Sequence, residues 1–220
     1  ALPHVEAVQF YGMIEFLCIT VQKTWEQLPR LGTVGKPMVG TDLRLVNEEG
    51  QDVALGAVGE VIARSSCAMR GYWGAPDLTS KAMQNGWVHT GDLGRLDEDG
   101  YLTLVGRRKE IIKSGGMTVA PVEVEKVLYR HPAVAEAAVV GRPDATWGEA
   151  VHAVVALKPE ATATAEELIR FCAGHLAGYK KPRSVEFLPS LPKTGIGKIA
   201  RKVIQDRIWA KGEASQEVTS

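Results

Sequence analysis

Hydrophobic positions along the chain follow two rhythms. In the first half they alternate with polar ones over short runs: Val8 to Tyr11, Leu43 to Val46, Val58 to Ala63, Leu93 to Leu96 and Tyr101 to Val105. Alternation places successive side chains on opposite faces of a strand. Asn47-Glu48-Glu49-Gly50, Gly56 and Asp97-Glu98-Asp99-Gly100 interrupt the runs with residues that favour turns. Residues 33–71 are therefore expected to be antiparallel β structure and residues 93–105 a hairpin. A short helix led by proline is expected from Pro76 to Met83.

In the second half the spacing lengthens. Val124, Val127 and Leu128 share one face of a helix from Pro121 to Arg130, with Glu123 and Glu125 near its positive end. Thr164-Ala165-Glu166-Glu167 has the spacing of a capping box ahead of Leu168, Ile169 and Cys172. Strands are expected at Val134 to Gly141, Val151 to Leu157 and Arg183 to Leu188. A last helix follows Lys198, with Ala200, Val203, Ile204 and Ile208 on one side. Residues 209–220, polar and aperiodic from Lys211, read as a disordered tail.

Strands in succession, then strands alternating with helices, imply an α/β (α+β) chain of two bodies. Between them lies Gly106-Arg107-Arg108-Lys109-Glu110-Ile111-Ile112-Lys113-Ser114-Gly115-Gly116. An apolar strand enters it, charge fills its centre, and a glycine pair leaves it toward Pro121, as in a joint. The expected boundaries are 1–107 for a β-rich body, 108–208 for a small α/β body, and 209–220 for the tail.

Charge and composition narrow the partners. The 26 basic and 26 acidic side chains cancel, so no field favours nucleic acid or an anionic membrane. No apolar run approaches the roughly 20 residues of a membrane span, and the first residues lack the pattern of a signal peptide. Cys18, Cys67 and Cys172 are odd in number and unpaired in spacing, which suggests buried thiols in a reducing compartment. The five histidines never fall at zinc-ligand spacings. A soluble, cytoplasmic protein with a small-molecule partner is the expectation.

Three stretches carry candidate chemistry. Thr90-Gly91-Asp92 sets a carboxylate just after a glycine turn, where it can cap the turn or offer two acceptors to a diol. Arg107, Arg108 and Lys109 in a row read, from their charge alone, as a solvated run. Pro192-Lys193-Thr194-Gly195-Ile196-Gly197-Lys198 is not a P-loop, because Pro192 and Ile199 stand where that motif needs Gly and Ser or Thr. What remains is a glycine loop that presents a lysine.

These stretches, in this order, together with Tyr11-Gly12-Met13-Ile14-Glu15, make the chain resemble the adenylate-forming superfamily of acyl-CoA synthetases, luciferase and peptide-synthetase adenylation domains, over residues 8–208. The resemblance implies the end of a large N-terminal domain, a distorted antiparallel β subdomain, followed by a small mobile lid. It implies that the Tyr11 ring stacks on adenine, with Gly12 also in the nucleotide site, that Asp92 and Arg107 grip the ribose, and that Glu15 helps hold Mg2+. Ile14 stands where the family has a threonine. Lys109 falls at the hinge, Lys198 at the catalytic adenylation lysine, and Lys113, Ser114, Gly115 and Gly116 along the pantetheine tunnel; Met117 to Pro121 depart from the usual continuation there.

The implied reaction is that of an AMP-forming ligase taking a carboxylic acid, ATP and coenzyme A, the acid fatty or aromatic. Family members are far longer, so the chain reads as a C-terminal portion inactive alone. An adenylation domain that loads a carrier protein, and a non-catalytic interaction module, are the alternatives; the oligomeric state is open.

Overall fold

The computed structural model describes residues 4–27 and 29–217, so residues 1–3 of the first expected body and 218–220 of the expected tail lie outside the described residues. The chain forms two compact units, Ala1–Lys109 and Glu110–Ser220.

The first unit contains two antiparallel sheets. β1 (Val8–Tyr11), β2 (Thr20–Lys23) and β3 (Lys36–Pro37) form one in that order, with the single turn α1 (Thr24–Gln27) after β2. β4 (Asp42–Val46), β5 (Gly59–Arg64), α2 (Pro76–Ala82), β6 (Met83–Gln84), β7 (Trp87–Leu96) and β8 (Leu102–Arg107) build the other, ordered β4-β5-β7-β6 with β8 against β7. β5 is buried on both faces from Gly59 to Ala63. One core gathers Phe16, Ile19, Ala63 and Val88, another Leu45, Val61 and Leu102; Tyr11 and Leu43 pack against both.

The second unit is a single sheet with helices on both faces. Its elements are β9 (Ile112–Ser114), β10 (Met117–Val119), α3 (Pro121–Leu128), β11 (Val134–Asp144), β12 (Gly148–Leu157), α4 (Ala165–Ala173), β13 (Ser184–Phe187) and α5 (Arg201–Glu217). The order is β10-β9-β12-β11, with β13 parallel to β12. Alternation along the strands splits the core. Ala137, Val139, Val151, Ala153 and Val155 meet Val124, Val127 and Leu128 of α3 and Leu168 and Cys172 of α4. Ala138, Val140 and Val154 meet Leu191 and, from α5, Ile204 and Ile208. Half of the capping box forms: the Thr164 hydroxyl accepts from Glu167 N at 3.1 Å, while the Glu167 carboxylate turns to His131 at 3.5 Å.

Several details differ from the sequence reading. β11 and β12 are joined directly as an antiparallel hairpin, not through a helix, because Asp144 Oδ1 accepts from Thr146 N and Trp147 N and closes the turn. β10 intervenes between the glycine pair and α3. α5 extends to Glu217, into the stretch expected to be disordered, and Trp209 anchors it by donating its indole N–H to Gly141 O at 2.9 Å. Val203 is exposed, since the face of α5 that meets the sheet is the i, i+4 pair Ile204 and Ile208. Of the three free thiols only Cys172 is buried, whereas Cys67, in the turn after β5, is exposed. Among the described residues no helix is long and apolar enough to cross a membrane.

His152 of β12 lies only 5% exposed, with Nδ1 2.8 Å from Ser184 Oγ. Burial, helped by the Arg142 guanidinium and opposed by Glu186, depresses its pKa to about 4. An imidazole kept neutral in the fold but free to protonate when unfolded stabilises fully above pH 6.5, and that contribution disappears as pH falls toward 4. Urea unfolding should therefore lose about 2–3 kcal/mol across that window. His152→Gln should flatten the loss; an unchanged pH slope would contradict the burial account.

Candidate functional site

In the first unit the site forms where β1 and β8 end beside a bulge within β7. Opposite β5, the residues Thr90, Gly91 and Asp92 face Val61 alone, because the pairing jumps from Glu60 with Leu93 to Ile62 with His89. Bulges of this kind redirect side chains, and Gly91 supplies the positive φ of 70° that the bend requires. Inside it, Thr90 Oγ1 donates to Val61 O at 2.7 Å and accepts from Asp92 N at 3.0 Å.

The bulge presents Asp92 to two donors. The Tyr11 hydroxyl donates to Oδ2 at 2.7 Å and Arg107 Nε donates to Oδ1 at 3.1 Å. Burial first, and then the Asp92 carboxylate, push the Tyr11 hydroxyl far above its ordinary range, so it stays a donor. Each Asp92 oxygen has taken one hydrogen bond and retains capacity for another, the requirement for gripping a vicinal diol. Gly12 is dictated by close packing, since a Cβ there would lie 1.9 Å from Leu17 O.

Glu60 lies behind this turn, its side chain 8% exposed. Oε1 accepts from Gly91 N at 3.1 Å, while Oε2 lies 3.2 Å from His89 Nδ1 and accepts from Arg108 Nη1 at 3.1 Å. Nearby, Glu15 Oε1 accepts from the Tyr72 hydroxyl at 2.6 Å, and Glu15 O accepts from Met69 N at 2.7 Å. An oriented carboxylate fits Mg2+, which typically takes one or two protein oxygens with the rest from substrate phosphates and water. Ile14 is fully exposed.

In the second unit the lysine loop is a closed finger. Ala200 N donates to Pro192 O at 2.8 Å, Thr194 N to Lys198 O at 2.7 Å and Gly197 N to Thr194 O at 2.9 Å. Its base is tied to β11, where Glu136 pairs with Lys193 at 2.5 Å and accepts from Leu191 N at 3.0 Å. Lys198 is exposed and enters no ion pair among the described residues.

Gly115 and Gly116 form the two-residue turn of the β9–β10 hairpin, with φ of 57° and 77°, as a type I′ turn needs. Lys113 is exposed, and its backbone N–H donates to Glu149 at 2.7 Å. Ser114, expected along a tunnel wall, is buried in its strand; the two glycines are the exposed part of the turn. Gly115 N donates to Trp147 O at 2.8 Å, and Arg183 lies 4.1 Å over the indole.

Tyr11, Asp92 and Arg107 are thus assembled in one unit, while the glycine turn and Lys198 sit on separate features of the other. Sequence reasoning passed over Glu60, Tyr72 and Trp147. Glu60 had a signal: a carboxylate in a strand buried on both faces must have partners. Tyr72 and Trp147 had none, because loop aromatics are usually packing.

The AMP-binding enzyme model matches residues 1–73, and the AMP-binding enzyme C-terminal domain model matches residues 123–198. A long-chain-fatty-acid–CoA ligase from Yersinia pestis is 41% identical over 196 residues, 89% of this chain and 35% of the relative. A fatty acid–[acyl-carrier-protein] ligase, ScoC, from Streptomyces coeruleorubidus is 39% identical over 217 residues, 97% of this chain and 41% of the relative. The structure of o-succinylbenzoate CoA synthetase (MenE) from Bacillus subtilis with its acyl-adenylate intermediate aligns at a TM-score of 0.85 and 36% identity, over 90% of this chain and 41% of that one. The chain spans well under half the length of these relatives.

Geometry at the glycine turn generates a stability test. Gly115→Ala combines a left-handed backbone with a Cβ 2.4 Å from the Trp147 ring, whereas a Cβ on Gly116 meets nothing within 4 Å. Gly116→Ala should cost about 1 kcal/mol, the left-handed penalty. Gly115→Ala should cost at least about 2 kcal/mol, with the overpacking added. Equal urea midpoints for the two variants would contradict the contact.

Proposed function

The chain belongs to the AMP-binding enzyme family, and from that premise we propose that it supplies the nucleotide grip and the lid of an AMP-forming acid–thiol ligase. In this reading a carboxylate attacks the α-phosphate of ATP, giving an acyl adenylate and pyrophosphate, and a thiol then displaces AMP to form a thioester. The observation that carries it is Asp92, held by Tyr11 and Arg107 with acceptor capacity to spare.

Asp92 binds the ribose diol, Arg107 orients that carboxylate, and the Tyr11 ring packs beside adenine. Lys198, on its finger, neutralises charge that builds as the acid attacks phosphorus; a compact ammonium suits that task. Glu15, oriented by Tyr72, would hold Mg2+, which when bound offsets phosphate charge. The two half-steps make opposite demands on the lysine, which must approach for the first and withdraw for the second. Rotation of the second unit about Lys109 meets them both.

The thiol belongs to a phosphopantetheine arm. Gly115 and Gly116 let such an arm approach backbone closely, and Trp147 with Arg183 offers a flat surface beside the turn for the coenzyme A nucleotide. Carrier-protein-bound pantetheine is the second reading, favoured by the ScoC relative, which matches 97% of this chain. The names of the relatives favour a fatty acid as substrate, and the expected setting is the cytoplasm.

The test uses a chimera in which this chain replaces the matching 41% of the MenE synthetase. Pyrophosphate exchange with o-succinylbenzoate reports the first half-step, and thioester formation from preformed acyl adenylate the second. Lys198→Ala should slow exchange about 30-fold or more, equivalent to about 2 kcal/mol, and leave the second step nearly intact. Normal exchange in that variant would refute the assignment.

A further inference from the structure

The joint has a feature that the assignment of a hinge does not contain. Arg108 and Glu110, on either side of Lys109, are each ion-paired, and the two pairs belong to different units. Arg108 Nη1 donates at 3.1 Å to Glu60 Oε2, a carboxylate whose other oxygen accepts from Gly91 N in the Asp92 bulge. Glu110 Oε2 accepts from Arg201 Nη1 at the start of α5. The same guanidinium donates through Nη2 to both oxygens of Glu125, at 2.7 and 2.8 Å, and Glu125 Oε1 also accepts from Val139 N at 2.8 Å in β11. Glu60 and Glu125 are nearly buried, at 8% and 10% side-chain exposure, and Arg201 is at 22%. Breaking such a pair strands a charge where water reaches it poorly. The side chain of Lys109, between them, is exposed and enters no hydrogen bond or ion pair among the described residues.

We propose that Glu60 and Arg201 are positioning residues: by fastening Arg108 to the first unit and Glu110 to the second, they confine rotation between the units to the torsions of Lys109. The proposal rests on the swivelling lid put forward above and names what localises the swivel. Without the pairs, motion would spread over residues 108–110 and Lys198 would reach a nucleotide along many paths. With them, one residue sets the arc. Arg201 lies three residues after Lys198, so its anchor also ties the lysine finger to the segment that turns.

Spin labels and pulsed dipolar spectroscopy on the 220-residue chain test this without any catalytic readout. Cysteines replace exposed Ser80 in the first unit and exposed Lys158 in the second, with Cys18 and Cys67 changed to serine and buried Cys172 left in place. Lys109→Pro fixes φ at the only free position and restricts Arg108 before it, so the inter-unit distance distribution should narrow at least twofold. Adding Glu110→Gln to the proline variant should restore at least half of the lost width, because rotation moves to residue 110, which the proline does not restrict, and Glu60→Gln in the parent chain should broaden the distribution. Arg108→Ala breaks the first pair from its solvent-exposed side and takes the place of Glu60→Gln if that variant unfolds by circular dichroism. A merely structural role for these pairs would leave the proline-narrowed distribution unchanged, and that result overturns the proposal. A parent distribution already as narrow as that of Lys109→Pro overturns it as well, by removing the swivel, while the Lys198 exchange assay judges the ligase reading separately.

Discussion

One carboxylate ties the first unit together. Asp92 stands at a bulge within β7 and accepts from the last residue of β1 and the last residue of β8, so the ends of two strands from different sheets meet on the oxygens of a third. Hydrogen bonds to a charged group are the stronger kind. Their geometry is set by packing, because the Tyr11 ring lies against both hydrophobic cores of the unit. Behind the bulge a second, buried carboxylate, Glu60, holds the turn by the Gly91 N–H. A group prepared in this way needs no rearrangement to receive a diol, which is how recognition becomes cheap in conformational entropy.

The second unit divides its work differently. Its sheet is covered on both faces, while the proposed chemistry falls on two turns outside that sheet's core, the glycine hairpin and the Lys198 finger. Rigid scaffolds commonly carry reactive groups on loops in this manner. The finger is nevertheless closed by three backbone hydrogen bonds and moored to Glu136, so its backbone is tied to the sheet. An ammonium with no ion pair among the described residues retains its full capacity to meet a phosphate.

Much of this was legible from residue order alone. Periods of two and of three to four located nearly every long element, and Thr164 caps α4 as its spacing implied. The chemistry at Asp92 and Lys198 was visible because turn residues bracket both. Long-range pairing was not legible. Nothing local says that Tyr11 and Asp92 meet across 81 positions, or that Glu110 meets Arg201 across 91. Glu125 looked like a dipole-compensating residue of α3 and is instead a buried acceptor for Arg201 and Val139. The helix at Trp209, where the polar stretch reads as a tail, was not legible for a similar reason, since the partner that fixes Trp209 is a carbonyl 68 residues earlier.

The account turns on whether Asp92 grips a ribose diol. Calorimetric titration of the chain with AMP and with 2′,3′-dideoxy-AMP, in parallel with the Asp92→Ala variant, addresses that directly. AMP should bind the parent chain at least about tenfold more tightly than the dideoxy nucleotide, the loss of about 1.4 kcal/mol expected when a charged acceptor loses its donors. The variant should bind the two alike. Equal affinity for the two nucleotides in the parent chain, or a preference for AMP that survives in Asp92→Ala, would contradict the account.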